Sequence, residues 1–193
     1  SDVTIEVEEL AVGNRVTQAA ASVTCGGAVV LRASAALGGH DLQIDRGWRQ
    51  IPTVPSPEDC PRRQATSETG HSFTDYSDIR LAGQMPGEAA VYYWARLERG
   101  LTSSTAGLIA LADLIPSGMR VSLGKAFRGS SLDHAVRITS LEESDWVLIR
   151  IEADAIRNSV GHGRAEIYSQ SGSLLATGSQ SFAISAITGP LDR

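Results

Sequence analysis

The stretch TAGLIALADLIP, residues 105–116, decides the fold. Leu108, Ile109, Leu111, Leu114 and Ile115 make it apolar over almost its whole length. A helix that is apolar nearly all round is expected to be buried rather than to lie on a surface. Ser103 or Ser104 stands where a hydroxyl can accept from the free N–H groups of the first turn. Pro116, Ser117 and Gly118 are expected to end the helix. One residue disagrees with this pattern. Asp113 carries a carboxylate into an apolar setting, where ionisation is costly without partners. Either it faces water, or polar groups from elsewhere in the chain meet it.

Outward from the helix the chain reads as strands. VTIEVEEL (3–10) sets Val3, Ile5 and Val7 against Thr4, Glu6 and Glu8, the period of two of a sheet with one buried face. NRVTQAAASVT and AVVLRASAAL flank Cys25-Gly26-Gly27, a hairpin signal. From residue 38 to 72 the periodicity fades and Pro52, Pro55, Pro57 and Pro61 accumulate, which reads as a linker. SDIRLAG (77–83) and EAAVYYWARLERG (88–100) are expected to pair through Pro86-Gly87. Beyond the helix, strands are expected over 130–140, 145–155, 162–170 and 174–187, with Ser171-Gly172 in the last tight turn.

The segment from Ser1-Asp2 through CGGAVVLRASA resembles that from Ser144-Asp145 through QSGSLLATGSQ. Both read strand, loop, strand, glycine-containing turn, strand, as two copies of one β-rich unit would. Only the second copy is preceded by the helix. The N-terminal unit is therefore expected to be incomplete, with an apolar sheet face that needs a partner.

Bulk properties narrow the function. The 193 residues suffice for one large domain or two small ones, and 42% hydrophobic with 20% charged residues argues against disorder. A net charge of −5 offers no general nucleic-acid footprint. Cys25 and Cys60 show no ligand spacing and no disulfide framework, which fits a reducing compartment such as the cytoplasm. No apolar run is read as long enough for a membrane span. His40, His71 and His162 lack metal-ligand spacing, and Cys60 has no evident activating partner. GHG at 161–163 reads as a turn or bulge, and Trp48, Trp146 and Tyr92-Tyr93-Trp94 read as packing residues.

Two further residues bear on Asp113. In LLATGSQSFAIS, alternation puts Leu174, Ala176, Gly178, Gln180, Phe182 and Ile184 on one face. Gln180 is then a polar group on the face where the helix packs, and a buried amide requires partners. Its counterpart in the first copy is Ala35. In GSSLDHAVRI, strict alternation groups Ser131 with Asp133 and opposes them to Leu132, His134 and Val136. Ser131 reaches the apolar face only if a bulge intervenes. Adjacent Asp133 and His134 point to opposite faces, which argues against a Ser-His-Asp triad.

LIALADLIPSGM, GSSLDHAVRI and SDWVLIRIEADAIRNSVGHGRAEIYSQSGSLLATGSQ together resemble the C-terminal half of acyl-CoA thioesterase II enzymes. The resemblance covers most of residues 76–187 and, more loosely, 1–37, and GWRQIPTVPSPEDCP resembles the linker between two hotdog domains. It implies an α+β double hotdog, an antiparallel sheet wrapped on a central helix. The implied organisation is a partial N-terminal hotdog over 1–37, a proline-rich linker over 38–72 and a C-terminal hotdog over 73–193. That family carries an Asp on the hotdog helix, a Thr or Ser before a Leu/Ile-Asp-His run, and a Gln near the end of the last strand. The matching positions are Asp113, Ser131 and Gln180.

The implied chemistry is hydrolysis of a fatty acyl-CoA thioester without a covalent intermediate. In it Asp113 would be the general base, or at least the acceptor orienting a water, and Ser131 and Gln180 would hold that water at near-attack distance. Backbone N–H groups polarise the carbonyl. CoA enters as part of the substrate, with no metal and no redox cofactor. Two rival readings remain: a non-catalytic hotdog subunit that binds acyl-CoA or stabilises a partner chain, and hydration of an enoyl thioester. The latter needs a His-Asp pair that only Asp133-His134 approaches. Open sheet edges and the absent first helix point to a homo-oligomer or a complementing N-terminal chain.

Overall fold

A computed structural model describes residues 2–39, 44, 46–63, 73–84 and 89–190. It divides the chain into two compact units, Ser1–Arg46 and Gly47–Arg193.

In the first unit, β1 (Val3–Val12), β2 (Val16–Cys25) and β3 (Ala28–Gly38) form an antiparallel sheet in chain order. The β2–β3 hairpin turns on Gly26 and Gly27, both at positive φ, as the sequence suggests. Ile5 pairs with Val23, Val7 with Ala21, and Val23 with Leu31, so these residues share one apolar face. That face is not buried: Ile5 is 66% and Val7 71% exposed.

In the second unit the elements run β4 (Ser77–Gln84), β5 (Ala90–Leu97), α1 (Thr105–Ala112), α2 (Ile115–Leu123), β6 (Lys125–Ile138), β7 (Val147–Arg157), β8 (Val160–Ser169) and β9 (Leu174–Pro190). The six strands form one antiparallel sheet in the order β4-β5-β7-β8-β9-β6. The three consecutive strands β7-β8-β9 repeat the chain-order pattern of β1-β2-β3. The Ser171-Gly172 turn forms, closed by Gly172 N–H donating to Ser169 O. The expected turn at Pro86-Gly87, like His40 and His71, lies outside the described residues.

The helix departs from expectation in two ways. Ser104 caps it, accepting from Gly107 N–H at 3.1 Å, but Pro116 does not end it. Pro116 instead opens α2, a position where its missing N–H costs nothing. The missing bond and the ring's clash with the Ala112 carbonyl break the ladder upstream. There Asp113 and Leu114 donate to carbonyls only three residues back, Ala110 and Leu111. The second departure is exposure. Leu108, Leu111, Ala112, Ile115 and Met119 are buried, whereas Ala106, Ile109 and Asp113 form an exposed stripe. Contrary to the sequence reading, Thr105–Leu123 is long and apolar enough, by length and composition, to cross a membrane. Here half of it is buried, against the sheet.

The helical segment lies on one sheet face with Val91, Tyr93, Ile149, Ile151, Ile167 and Phe182. Gly161 and Gly163 sit within β8 rather than in a turn, and the bulge lies opposite them in β7, where the register shifts between Ala153 and Ala155. A Cβ at Gly161 would lie 2.6 Å from the Phe182 ring, and one at Gly163 2.9 Å from Ile115. The opposite face buries Tyr92, Trp94, Trp146, Leu148 and Tyr168 against Ile51, Val54 and Cys60. Residues expected to be linker are thus built into this unit: Trp94 Nε1 donates to Pro55 O at 2.8 Å, and Arg80 to Pro57 O at 2.8 Å. Trp48, expected to pack, is 85% exposed.

Candidate active site

The site begins with a missing side chain. A Cβ at Gly178 of β9 would lie 3.1 Å from Ala112 Cβ, closer than ordinary contact. Glycine there lets the end of α1 settle on β9. Asp113, the next residue along, thereby comes beside Gln180, two residues further along the same face of β9.

Gln180 is fully buried, whereas Asp113 and Ser131 are exposed. Its Nε2 donates to Asp113 Oδ1 and to Ser131 Oγ, the latter at 3.0 Å. An ionised carboxylate accepts only, so the amide nitrogen, not its oxygen, must face Asp113. The three residues named from sequence therefore converge, and the question raised by Asp113 is answered both ways: it faces water on one side and meets an amide on the other.

Ser131 reaches this place through a bulge. Across β6 and β9, Ser131 faces Phe182 and Asp133 faces Ser181, which leaves Leu132 as the extra residue. Leu132 is 60% exposed. Past the bulge the alternation is reset, so that Ser131 and His134, which faces Gln180, both lie on the inner face. Asp133 clamps the bulge, its carboxylate accepting from Ser181 N–H at 3.0 Å. It is occupied there and is not offered to His134. This clamp was missed by the sequence reading, because a bulge depends on the partner strand.

Other polar residues are held elsewhere. The Cys60 thiol is buried, and burial, then the nearby Asp59 charge, push its pKa up, away from nucleophile behaviour. A cavity of about 540 Å³ lies on the outer face, lined by Trp48, Arg49, Arg150, Glu166 and Tyr168 among others. Its charges are mutually satisfied: Glu166 takes Arg49, Arg150 and the Tyr168 hydroxyl. Burial first, then the bond to Glu166, hold that hydroxyl protonated. This cavity is on the sheet face opposite Gln180.

An antiparallel sheet wrapped on one helical segment, with a polar cluster where helix and sheet meet, defines a hotdog protein. The chain belongs to the acyl-CoA thioesterase C-terminal domain family, whose model matches residues 57–184. Among solved structures, a candidate thioesterase from Novosphingobium aromaticivorans is 28% identical with a TM-score of 0.83, covering 95% of this chain and 73% of that one. A protein of unknown function with the hotdog fold from Alicyclobacillus acidocaldarius is 22% identical, with a TM-score of 0.83 and coverage of 94% and 72%. An acyl-CoA thioesterase II from Mycobacterium marinum is 19% identical, with a TM-score of 0.68 and coverage of 96% and 73%. No curated protein matches.

Proposed function

We propose that this chain hydrolyses fatty acyl-CoA thioesters, using water held by Asp113 and Ser131, which Gln180 orients. The observation that carries the reading is one amide nitrogen donating to both Asp113 and Ser131. Membership of the thioesterase family supports the substrate class.

A neutral amide suits this task. It orients the carboxylate without the charge that would weaken it as a base, as an arginine or lysine would. Ser131, having accepted from Gln180, keeps its own proton for the water. Water bound to the exposed side of Asp113 gives up a proton to the carboxylate as its oxygen adds to the thioester carbonyl carbon. The tetrahedral oxyanion collapses, the C–S bond breaks, and the departing thiolate takes the proton from Asp113. The products are a carboxylic acid and CoA, and Asp113 is regenerated. General-base assistance of this kind contributes ~10²–10⁴-fold.

Exposed Val3, Ile5 and Val7 support action as an oligomer or with a complementing chain. The test is thiol release from acyl-CoAs of graded chain length, with Asp113→Asn and Gln180→Ala as variants. Hydrolysis lost in both supports the reading. CoA binding without turnover would establish the non-catalytic module instead, and loss of an enoyl chromophore without thiol release would establish hydration.

A further inference from the structure

The bonds of Gln180 Nε2 leave the other end of the amide unexplained. Gln180 Oε1 is buried and has no hydrogen-bond partner among the described residues. One other buried side-chain polar atom shares this condition among the described residues: His134 Nε2. The two residues are direct partners across β6 and β9. Directly opposed residues of an antiparallel pair put their side chains on one face, with Cβ atoms roughly 4.5–5.5 Å apart. A buried donor or acceptor left unpaired forfeits its bonds to water and gains none in return. Two such atoms on facing residues are each other's natural remedy.

We propose that His134 is a positioning residue whose Nε2–H serves Gln180 Oε1, directly or through one bound water. The consequence is orientation. An amide can rotate by half a turn and exchange its oxygen for its nitrogen. With Oε1 held by His134, the NH₂ group is committed to Asp113 and Ser131. With Oε1 free, the flipped amide would present an oxygen to the carboxylate and drop both bonds. His134 thus acts through Gln180, not on substrate, and it does so in the tautomer that carries the proton on Nε2. The Leu132 bulge is what permits it, because without the reset of alternation His134 would face away from the helix. The proposal rests on the hydrolytic reading only for its effect on rate. The bond itself stands or falls separately.

Two measurements on the unaltered protein and its variants decide it. In the ¹⁵N-labelled protein, the His134 ring nitrogens should show a proton on Nε2, and the Gln180 side-chain NH₂ should be protected from exchange. A ring protonated on Nδ1 alone overturns the proposal, whether or not the protein hydrolyses anything. His134→Ala should remove the Gln180 NH₂ protection and lower kcat by up to ~10²-fold, with KM within about threefold, as expected for mispositioning near a reacting centre. His134→Gln, which can still donate, should restore most of both. Unchanged protection and kcat in His134→Ala refutes the positioning role. Normal coupling of His134 to Gln180 in a protein without thioesterase activity would retain the bond and reject the hydrolytic reading alone.

Discussion

Replacing Gln180 by leucine separates a working amide from a structural one. The substitution removes one hydrogen bond to a charged acceptor, about 1.5 kcal/mol at the low end because Asp113 is exposed, and one neutral bond of about 1 kcal/mol to Ser131. Neither partner is stranded, since both reach water. Against this, leucine buries about two more apolar carbons at a fully buried position, worth roughly 1.6 kcal/mol at 0.8 kcal/mol per carbon. It also leaves the buried His134 Nε2–H without the amide oxygen, a further loss of about 1 kcal/mol. The net loss is about 2 kcal/mol. Gln180→Leu should therefore still fold, with a urea midpoint modestly below that of the parent, while kcat falls by ~10²-fold or more. A variant destabilised by more than about 3 kcal/mol with per-molecule hydrolysis intact would mean that the amide serves the fold and not the reaction.

Asp113→Asn removes the base, and kcat should drop ~10²–10⁴-fold with little change in KM, read by thiol release. Gly178→Ala should push Ala112 by a few tenths of an ångström and lower kcat, and Ala112→Gly in the same chain should recover it. Asp133→Ala should loosen the bulge and lower kcat about tenfold in the same thiol-release assay, whereas Asp133→Asn, which still accepts from Ser181 N–H, should stay near the parent. Asp78 offers a pH test of stability. Burial alone would raise its carboxyl, but the paired hydrogen bonds from Arg80 and the charges of Arg80, Arg62 and Arg96 outweigh that and lower it. A lowered folded-state value contributes stability above the unfolded value near ~3.9, and the contribution fades as pH falls through the folded value. Asp78→Asn should thus be less stable than the parent at pH 7 and match it in strong acid, as urea unfolding at both pH values would show.

The strands of the second unit were legible because their signal is local. Val147, Ile149 and Ile151 recur with the period of a sheet face, and the structure buries all three. The helix was legible in existence but not in extent. Its apolar residues gave no stripe to orient it, so Ile109 and Leu111 look alike in sequence although one is exposed and the other buried. Residues 51–63 read as linker for a similar reason. Prolines remove periodicity, yet Val54 and Cys60 pack on the outer face, where Pro55 and Pro57 carbonyls accept from Trp94 and Arg80. Those bonds join distant segments and leave no local trace.

The site itself is made by two irregularities, and each hid from sequence a different part of what it does. Pro116 signals a helix end, and in breaking the ladder it turns Asp113 into the C-terminal cap of α1 rather than a mid-helix residue. Leu132 carries no signal at all, because nothing in a single strand marks which residue its partner will skip. Strict alternation consequently misfiled Ser131 and His134, placing them on opposite faces when the pairing with β9 puts both beside Gln180. A motif read as residues in a fixed order survives such errors, since order does not depend on register. That is why Asp113, Ser131 and Gln180 could be named together while the face occupied by Ser131 could not. The residues that hold the bulge and orient the amide, Asp133 and His134, emerge only once the register is known.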